Sequence, residues 1–282
     1  MKNNGSSNGN DENKVPRRKL RADIKKASVT MTHDEARFLV DAYYINQEAR
    51  KRSDNQVRAM GEEPHSVVTY CAEQARDIES DCRLALDHYS ASKPIGKWSR
   101  EIVGIGPVIS AGLMSHIDIK KAPHVGHIWM FAGLGADQPW EKGKKRPWNA
   151  ALKTLCWKLG ESFVKTQNSD GSFYGPLFVE RKAIENRRND TGEYKDQAAA
   201  KLEKYKIGKS TDAYKHYSGG KLPPAHIHAR ARRWTVKLFL SHWWEQMFVF
   251  TYDKDAPPPY PIAIMGHSDY IERPNPVKPK KK

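Results

Sequence analysis

Trp98-Ser-Arg-Glu-Ile-Val-Gly-Ile-Gly-Pro-Val-Ile-Ser-Ala-Gly-Leu-Met-Ser-His-Ile117 reads as two short helices joined by the tight turn Gly104-Ile-Gly-Pro107. The glycines can take φ > 0, and Pro107 suits the first turn of a helix because its missing N–H would have no partner there. Val108, Ile109, Leu113 and Ile117 then recur near the helical period and predict a second helix with that face inward. Helix, Gly-hydrophobic-Gly turn and helix make the pattern of a helix-hairpin-helix. Such a hairpin presents free N–H groups at the positive end of a helix dipole, which suits a phosphate and reads no base. Val103, Gly104, Ile105, Gly106, Pro107 and Val108 are therefore candidate DNA contacts. An ordinary Gly-Pro turn between packed helices fits the same residues.

Downstream, His127-Ile-Trp-Met-Phe-Ala-Gly-Leu134 predicts a short amphipathic helix ended by glycine. The basic loop Lys142-Gly-Lys-Lys-Arg146 follows and feeds a helix that starts near Pro147-Trp148-Asn149 and carries Leu152, Leu155 and Leu159. Flexible lysines beside a helix start suit phosphate contacts, so Lys142, Lys144, Lys145, Arg146 and Lys153 join the candidate set. A charge run of this kind also serves as a solvated surface. Residues 177–207 read as a charged helix interrupted around Asn189–Gly192, and 208–222 as a loop. Pro223-Pro224 opens a last helix whose basic start offers Arg230, Arg232 and Arg233 to a backbone groove. Its end, Val236 to Phe250, is apolar enough to be core, and Trp234, Trp243 and Trp244 read as core rather than as base-stacking residues.

Upstream, Thr32-His-Asp-Glu35 has the spacing of a capping box and starts a helix running to Gly61. Pro64 opens the next, which ends near Tyr89 before Lys93-Pro94. Val68, Cys71, Ala75, Ile78, Cys82, Ala85 and Tyr89 alternate at three and four residues, a heptad seam facing Phe38, Ala42, Ile45 and Ala49 of the first helix. The pair predicts an antiparallel helical hairpin, and the 64–89 helix is a candidate homodimer seam. Residues 1–27 read as a disordered basic tail, 28–93 as the helical hairpin, 94–252 as the helix-hairpin-helix domain with a helical extension, and 253–282 as a proline- and lysine-rich tail. The fold class expected is all-α.

At 282 residues the chain can bury a core without staples. Cys71, Cys82 and Cys156 lie in apolar helical patterns at spacings that fit neither a disulfide framework nor zinc, so buried thiols in a reducing compartment are expected. No stretch reaches the length of a membrane span, and the N-terminus lacks the apolar core of a signal peptide, so a soluble intracellular protein is expected. The formal charge of +15 points to a polyanion, DNA or RNA. Two-thirds of the excess lies in the tails, because residues 14–26 hold seven Lys or Arg against Asp23, and Lys278, Lys280, Lys281 and Lys282 add the rest. His228 and His242 would stand about 21 Å apart on one helix, so no metal site is expected there. No nucleotide-binding loop, hydrolase nucleophile motif or cofactor motif is present.

The segment from Glu101 to about Gly160 resembles the C-terminal domain of insertion-sequence transposases that pair a RuvC-like DEDD nuclease with a helix-hairpin-helix, the family associated with bridge-RNA-guided recombination. The matching residues are Val103-Gly-Ile-Gly-Pro-Val, Ala111 with Leu113, Phe131-Ala-Gly-Leu134, and Asn149 with Leu152-Lys153, about a fifth of the chain. In that family a coiled coil precedes the domain, as the 68–89 heptad does here. The chain departs from the family in two ways. Asp34, Asp41, Asp54, Asp77, Asp81 and Asp87 all fall in helical patterns rather than at strand ends, so the metal-binding carboxylates of a nuclease domain are not expected among them. No serine occurs between Ser115 and Ser162, and no tyrosine between Tyr89 and Tyr174, so the family's hydroxyl nucleophile has no counterpart in that loop. Sequence-tolerant DNA binding without catalysis follows as the expectation, in a cytoplasmic, nucleoid-associated protein of a prokaryote or phage. The alternatives are an active transposase or recombinase, and a structural or RNA-binding protein working through its basic tails.

Overall fold

A computed structural model describes residues 22–61, 64–135, 140–258 and 270–280. Among them the chain is all-α, with eleven α-helices, one 3-10 turn and no strand. It divides into two compact units, residues 1–89 and 90–282.

The first unit holds α1 (Ala22–Ser28), α2 (His33–Ala59) and most of α3 (Ser66–Ala91). The capping box that starts α2 is closed in both directions. The Glu35 N–H donates to the Thr32 hydroxyl at 3.3 Å, and the Thr32 N–H donates to the Glu35 carboxylate at 2.7 Å. Met60 caps the far end, and Gly61 turns the chain at φ 85°. The returning helix α3 runs antiparallel to α2, as the ion pairs Arg76–Asp54 at 2.7 Å and Arg50–Glu79 and the Gln47–Glu79 hydrogen bond at 3.2 Å require.

That middle stretch of polar pairs displaces the expected apolar seam. Phe38 and Ile45 are 71% and 69% exposed, and α2 buries Ala36 and Val40 instead. On α3 Cys71 and Ile78 are exposed, while the buried stripe is Ala72, Glu79, Cys82, Ala85, Leu86 and Tyr89. Cys82, Ala85 and Tyr89 are buried as expected, so the seam holds in the second half of α3 and shifts by one residue only at Ala72 and Glu79, where Arg50 makes a carboxylate tolerable inside, as buried charges require a partner. Three smaller corrections apply here. Residues 22–28 are helical rather than a disordered tail, Pro64 precedes α3 rather than opening it, and the Cys71 thiol is not buried. The expected disorder of residues 1–21 lies outside the described residues.

The second unit is built on its last helix. After α4 (Pro94–Arg100), α5 (Pro107–His116), a 3-10 turn (Ile119–Lys121), α6 (Val125–Phe131), α7 (Ala150–Lys165), α8 (Tyr174–Asp190), α9 (Lys195–Lys204) and α10 (Asp212–Ser218), the chain forms α11 (Pro224–Tyr252). This helix packs against α4, the 3-10 turn, α6, α7 and α8. The apolar end expected to be core is core. Phe239, Leu240, Trp243, Trp244 and Val249 are buried, and Phe239 closes an aromatic cluster with Phe163 and Tyr174, whose rings lie 4.7 Å apart. The break between α8 and α9 falls at Gly192, as expected, but residues 208–222 are not all loop. Thr211 caps α10 by accepting the Tyr214 N–H at 3.2 Å.

Two polar knots fix this unit. In the first, the Glu185 carboxylate of α8 is buried and accepts from Arg181 (2.9 Å), Arg230 (2.8 Å) and the Tyr194 hydroxyl. In the second, residues 270–280 lie as a strap along α11, so this part of the proline-rich tail is pinned; residues 259–269 lie outside the described residues. Tyr270 and Arg273 donate to Glu245 at 3.0 and 3.1 Å, Gln246 exchanges two hydrogen bonds with the Val277 backbone, and Trp98 donates to the Pro274 and Asn275 carbonyls. The buried His242 sits under this strap with its tautomer fixed. The Ile271 carbonyl can only accept, so Nε2 carries the proton (2.8 Å) and Nδ1 accepts from the Tyr174 hydroxyl (2.7 Å).

Burial, with the Arg273 charge, outweighs the hydrogen bond to Ile271 and pushes the His242 imidazole down to about 4. The unfolded chain titrates near 6.5, so between these values the unfolded state binds a proton that the folded state refuses. This contribution to stability is complete above pH ~6.5 and falls as pH drops toward ~4. Denaturant titrations across that window are expected to show the decline in the native chain and a flatter profile in His242→Gln.

Candidate nucleic-acid interface

The quoted turn sits between α4 and α5 at the C-terminal end of α7. Ser99 and Ser110 join the two short helices through hydroxyls 2.7 Å apart, both buried. Gly104 takes φ 96°, and its carbonyl accepts from Ser162 of α7 at 2.6 Å. A Cβ there would press on Thr166 and Phe163, so glycine serves both the turn and the close approach. Ile105 and Val108 are buried, and their side chains are unavailable to a ligand. What faces outward is Gly106, the N-cap of α5, with open space around its Cα. No side chain caps this helix. The first amide to bond back is Ser110 to Gly106 at 3.0 Å, which leaves the Gly106, Val108 and Ile109 N–H groups without an acceptor among the described residues.

A second feature lies at the other end of α7. Asn149 caps that helix by accepting the Leu152 N–H at 2.8 Å, which throws Lys153 and Trp157, four residues apart, onto one face. Opposite them α11 presents Arg233 and Lys237 at the same spacing. The end of α6 closes the third side through Gly133, whose φ of 65° lets the chain press against Trp148 and Lys153. The result is a solvent-open cleft of about 460 Å³ lined by the apolar side chains of Leu134, Cys156, Trp157, Ala229 and Val236 and by the polar ones of Lys153, Thr154, Arg232 and Arg233.

Three cations in or beside this cleft rest on indoles rather than on carboxylates. Lys153 Nζ stands 3.9 Å from the Trp148 ring centroid, Lys237 Nζ 4.1 Å from Trp129, and Arg146 5.3 Å from Trp140. No carboxylate pairs with any of these three or with Arg233 among the described residues. Partial burial, then the charges of Arg233 and Arg146, lower the Lys153 ammonium below its usual value. Partial burial with Arg230 and Arg232 does the same to Arg233, and burial with Arg233 to Lys237. Like charges are held together here against their own repulsion, an arrangement that a polyanion would relieve.

Of the residues singled out from the sequence, Lys153, Arg232 and Arg233 line this cleft, and Arg146 is near enough for its charge to act on Lys153. Lys142 and Lys145 are exposed in the loop before it, and Lys144 pairs with Glu141 at 2.8 Å. Arg232 lies over Trp157 and is ion-paired with Glu161, while Arg230 is turned away into the Glu185 knot. Val103 and Pro107 are half-buried beside Gly106. Sequence reading missed Lys237, Trp129, Trp148 and Trp157, although the Arg233–Lys237 and Lys153–Trp157 spacings were there to find. Among the described residues no group of three or more His, Cys, Asp or Glu could hold a metal ion, and no helix is long and apolar enough to cross a membrane. No protein-family model matches the chain, and comparison with curated proteins and with solved structures finds no match.

Proposed function

We propose that the protein binds DNA through its phosphate backbone, with the basic cleft between α7 and α11 as the main contact and the open N-terminus of α5, read as a helix-hairpin-helix, as a second. The observation that carries this reading is the set Arg146, Lys153, Arg233 and Lys237, gathered without a carboxylate partner among the described residues, the first two and the last of them over indole rings. Cations neutralising phosphates supply sequence-independent affinity, and amides at a helix start add a dipole-assisted anion contact. Lys153 and Ser162 are nine residues apart on α7, so the two contacts are separated by about 13 Å along its axis, the scale of the major groove. Similarity of residues 101–160 to transposase domains supports DNA over other polyanions.

The test is a mobility-shift titration of unrelated duplexes at two salt concentrations, with and without magnesium. Equal, steeply salt-dependent binding without cleavage supports the proposal; magnesium-dependent cleavage replaces it with the recombinase reading. Gly106→Asp probes the hairpin separately. Aspartate is a better N-cap than glycine, by a few tenths of a kcal/mol, so the variant is expected to be at least as stable. Its carboxylate would occupy the amides and repel a phosphate, so affinity should fall on every duplex alike. Unchanged affinity in Gly106→Asp removes the hairpin from the footprint and leaves the cleft.

A further inference from the structure

The walls of the cleft are not those of a simple phosphate clamp. Phosphates need cations, which Lys153, Arg232 and Arg233 supply, yet most of the remaining lining is apolar: Leu134, Cys156, Ala229 and Val236 with the indole of Trp157, beside the Thr154 hydroxyl. Trp157 is 54% exposed, and Arg232, tied to Glu161, covers one part of the ring. Phe131 and Trp140 are also exposed, and they are linked to the start of α7 through the Asn149–Phe131 backbone bond and the Trp140–Trp148 contact at 6.3 Å. An exposed indole costs solubility without adding to the core, and large apolar side chains grouped on a surface mark a binding site. The cleft volume falls in the range of small-ligand pockets.

We infer that this cleft takes an unpaired nucleobase, stacked on Trp157 with its adjoining phosphates held by Lys153 and Arg233, so that the protein prefers unpaired strands to continuous duplex. The inference rests on the reading of the cleft as a nucleic-acid site and goes beyond it. A base within a duplex has both faces stacked and offers only its edges, which aliphatic side chains, an indole and the single Thr154 hydroxyl are poorly equipped to read. An unpaired base offers a free π-face, and stacking on an aromatic side chain with an arginine beside it is tolerant of sequence. The cationic and the apolar parts of the lining match the phosphates and the base of one nucleotide. The same chemistry comes from a DNA or an RNA strand.

The experiment uses the full chain and follows anisotropy of a labelled single-stranded DNA, the same strand made abasic, a single-stranded RNA and a duplex. The native protein is expected to bind the intact strand about 5- to 150-fold more tightly than the abasic one, the range that one stacked base supplies. Trp157→Ala should remove that preference and leave abasic binding unchanged, while Trp157→Phe keeps most of it. Arg233→Gln should weaken intact and abasic strands equally. An RNA strand bound more tightly than DNA supports the inference and identifies RNA as the source of the base. Equal binding of intact and abasic strands by the native protein, or equal weakening of both by Trp157→Ala, overturns it. If Arg233→Gln still weakens binding in that case, phosphate binding in the cleft survives without base stacking. If no probe binds, both the inference and the proposed function fall.

Discussion

Glu185→Ala is expected to destabilise the second unit by about 3 kcal/mol, measured by urea unfolding at neutral pH, near the lower end of what removing one partner of a buried charge cluster costs. The loss goes beyond one ion pair because three donors converge on this carboxylate from three elements, Arg181 on α8, Tyr194 before α9 and Arg230 on α11. Removing it leaves two guanidiniums facing each other and the Tyr194 hydroxyl without its acceptor. Burial alone would push the Glu185 carboxyl up. The hydrogen bonds from Tyr194, Arg230 and Arg181, with the charge of Arg230, outweigh burial and hold it at about 2. The folded value lies below that of the unfolded chain, near 4.3, so this stabilisation is complete above pH ~4.5 and is lost as pH falls toward ~2. Glu185→Gln keeps the volume and part of the hydrogen bonding, and should show a smaller loss at neutral pH and no acid-dependent component from this site. A variant as stable as the native chain at neutral pH would mean that the knot is ornamental to the fold.

The same knot shows what was legible in the sequence and what was not. Helix ends were readable where the signal is local. Thr32 with Glu35, Asn149, Gly133 and Pro224 each satisfy or terminate backbone groups within one turn, so their chemistry is complete in a few residues. The α4–α5 turn was readable for the same reason. Elements without an apolar period were not. α10 buries no residue at all, and α1 lies in a basic stretch, so neither gave the helical pattern that separates helix from loop.

Pairing across elements was the larger blind spot. Glu79 occupies a core position only because Arg50, 29 residues away, meets it there, and a seam drawn from apolar residues alone is bound to step around it. Arg230 and Arg233 were indistinguishable as two cations of one run. The fold alone decides that α8 offers Glu185 to the first, while Lys153 of α7 and no carboxylate of the described residues stands near the second. A charge count therefore finds the basic surface but not which of its charges are already spent inside the protein.

That distinction sets the second large effect. Replacing Lys153, Arg233 and Lys237 together by glutamine is expected to flatten the plot of log affinity against log salt by about 2.7, or 0.9 for each phosphate no longer neutralised. If these cations add nothing to affinity at about 1 M salt, three of them amount to roughly 100-fold at about 0.2 M and to more than 1,000-fold at about 0.05 M. The same change at Arg230 should leave the salt slope alone, because that guanidinium belongs to Glu185. Loss of binding through loss of fold is separable by its sign. Burial first, and then the charges of Arg233 and Arg146, lower Lys153, and burial followed by the charge of Arg233 lowers Lys237, so neutralising these cations removes a desolvation cost and some repulsion. The triple variant should unfold at about the same denaturant concentration, the relief of burial and repulsion offsetting the lost Lys153–Trp148 and Lys237–Trp129 contacts, while binding far more weakly. Lower stability together with weaker binding would show that the cluster serves the packing of α7 on α11 rather than a polyanion. Unchanged stability with an unchanged salt slope would place the DNA contact elsewhere on the chain. Retained stability with a flattened slope is the outcome expected of charges kept together for a ligand that is absent from the free protein.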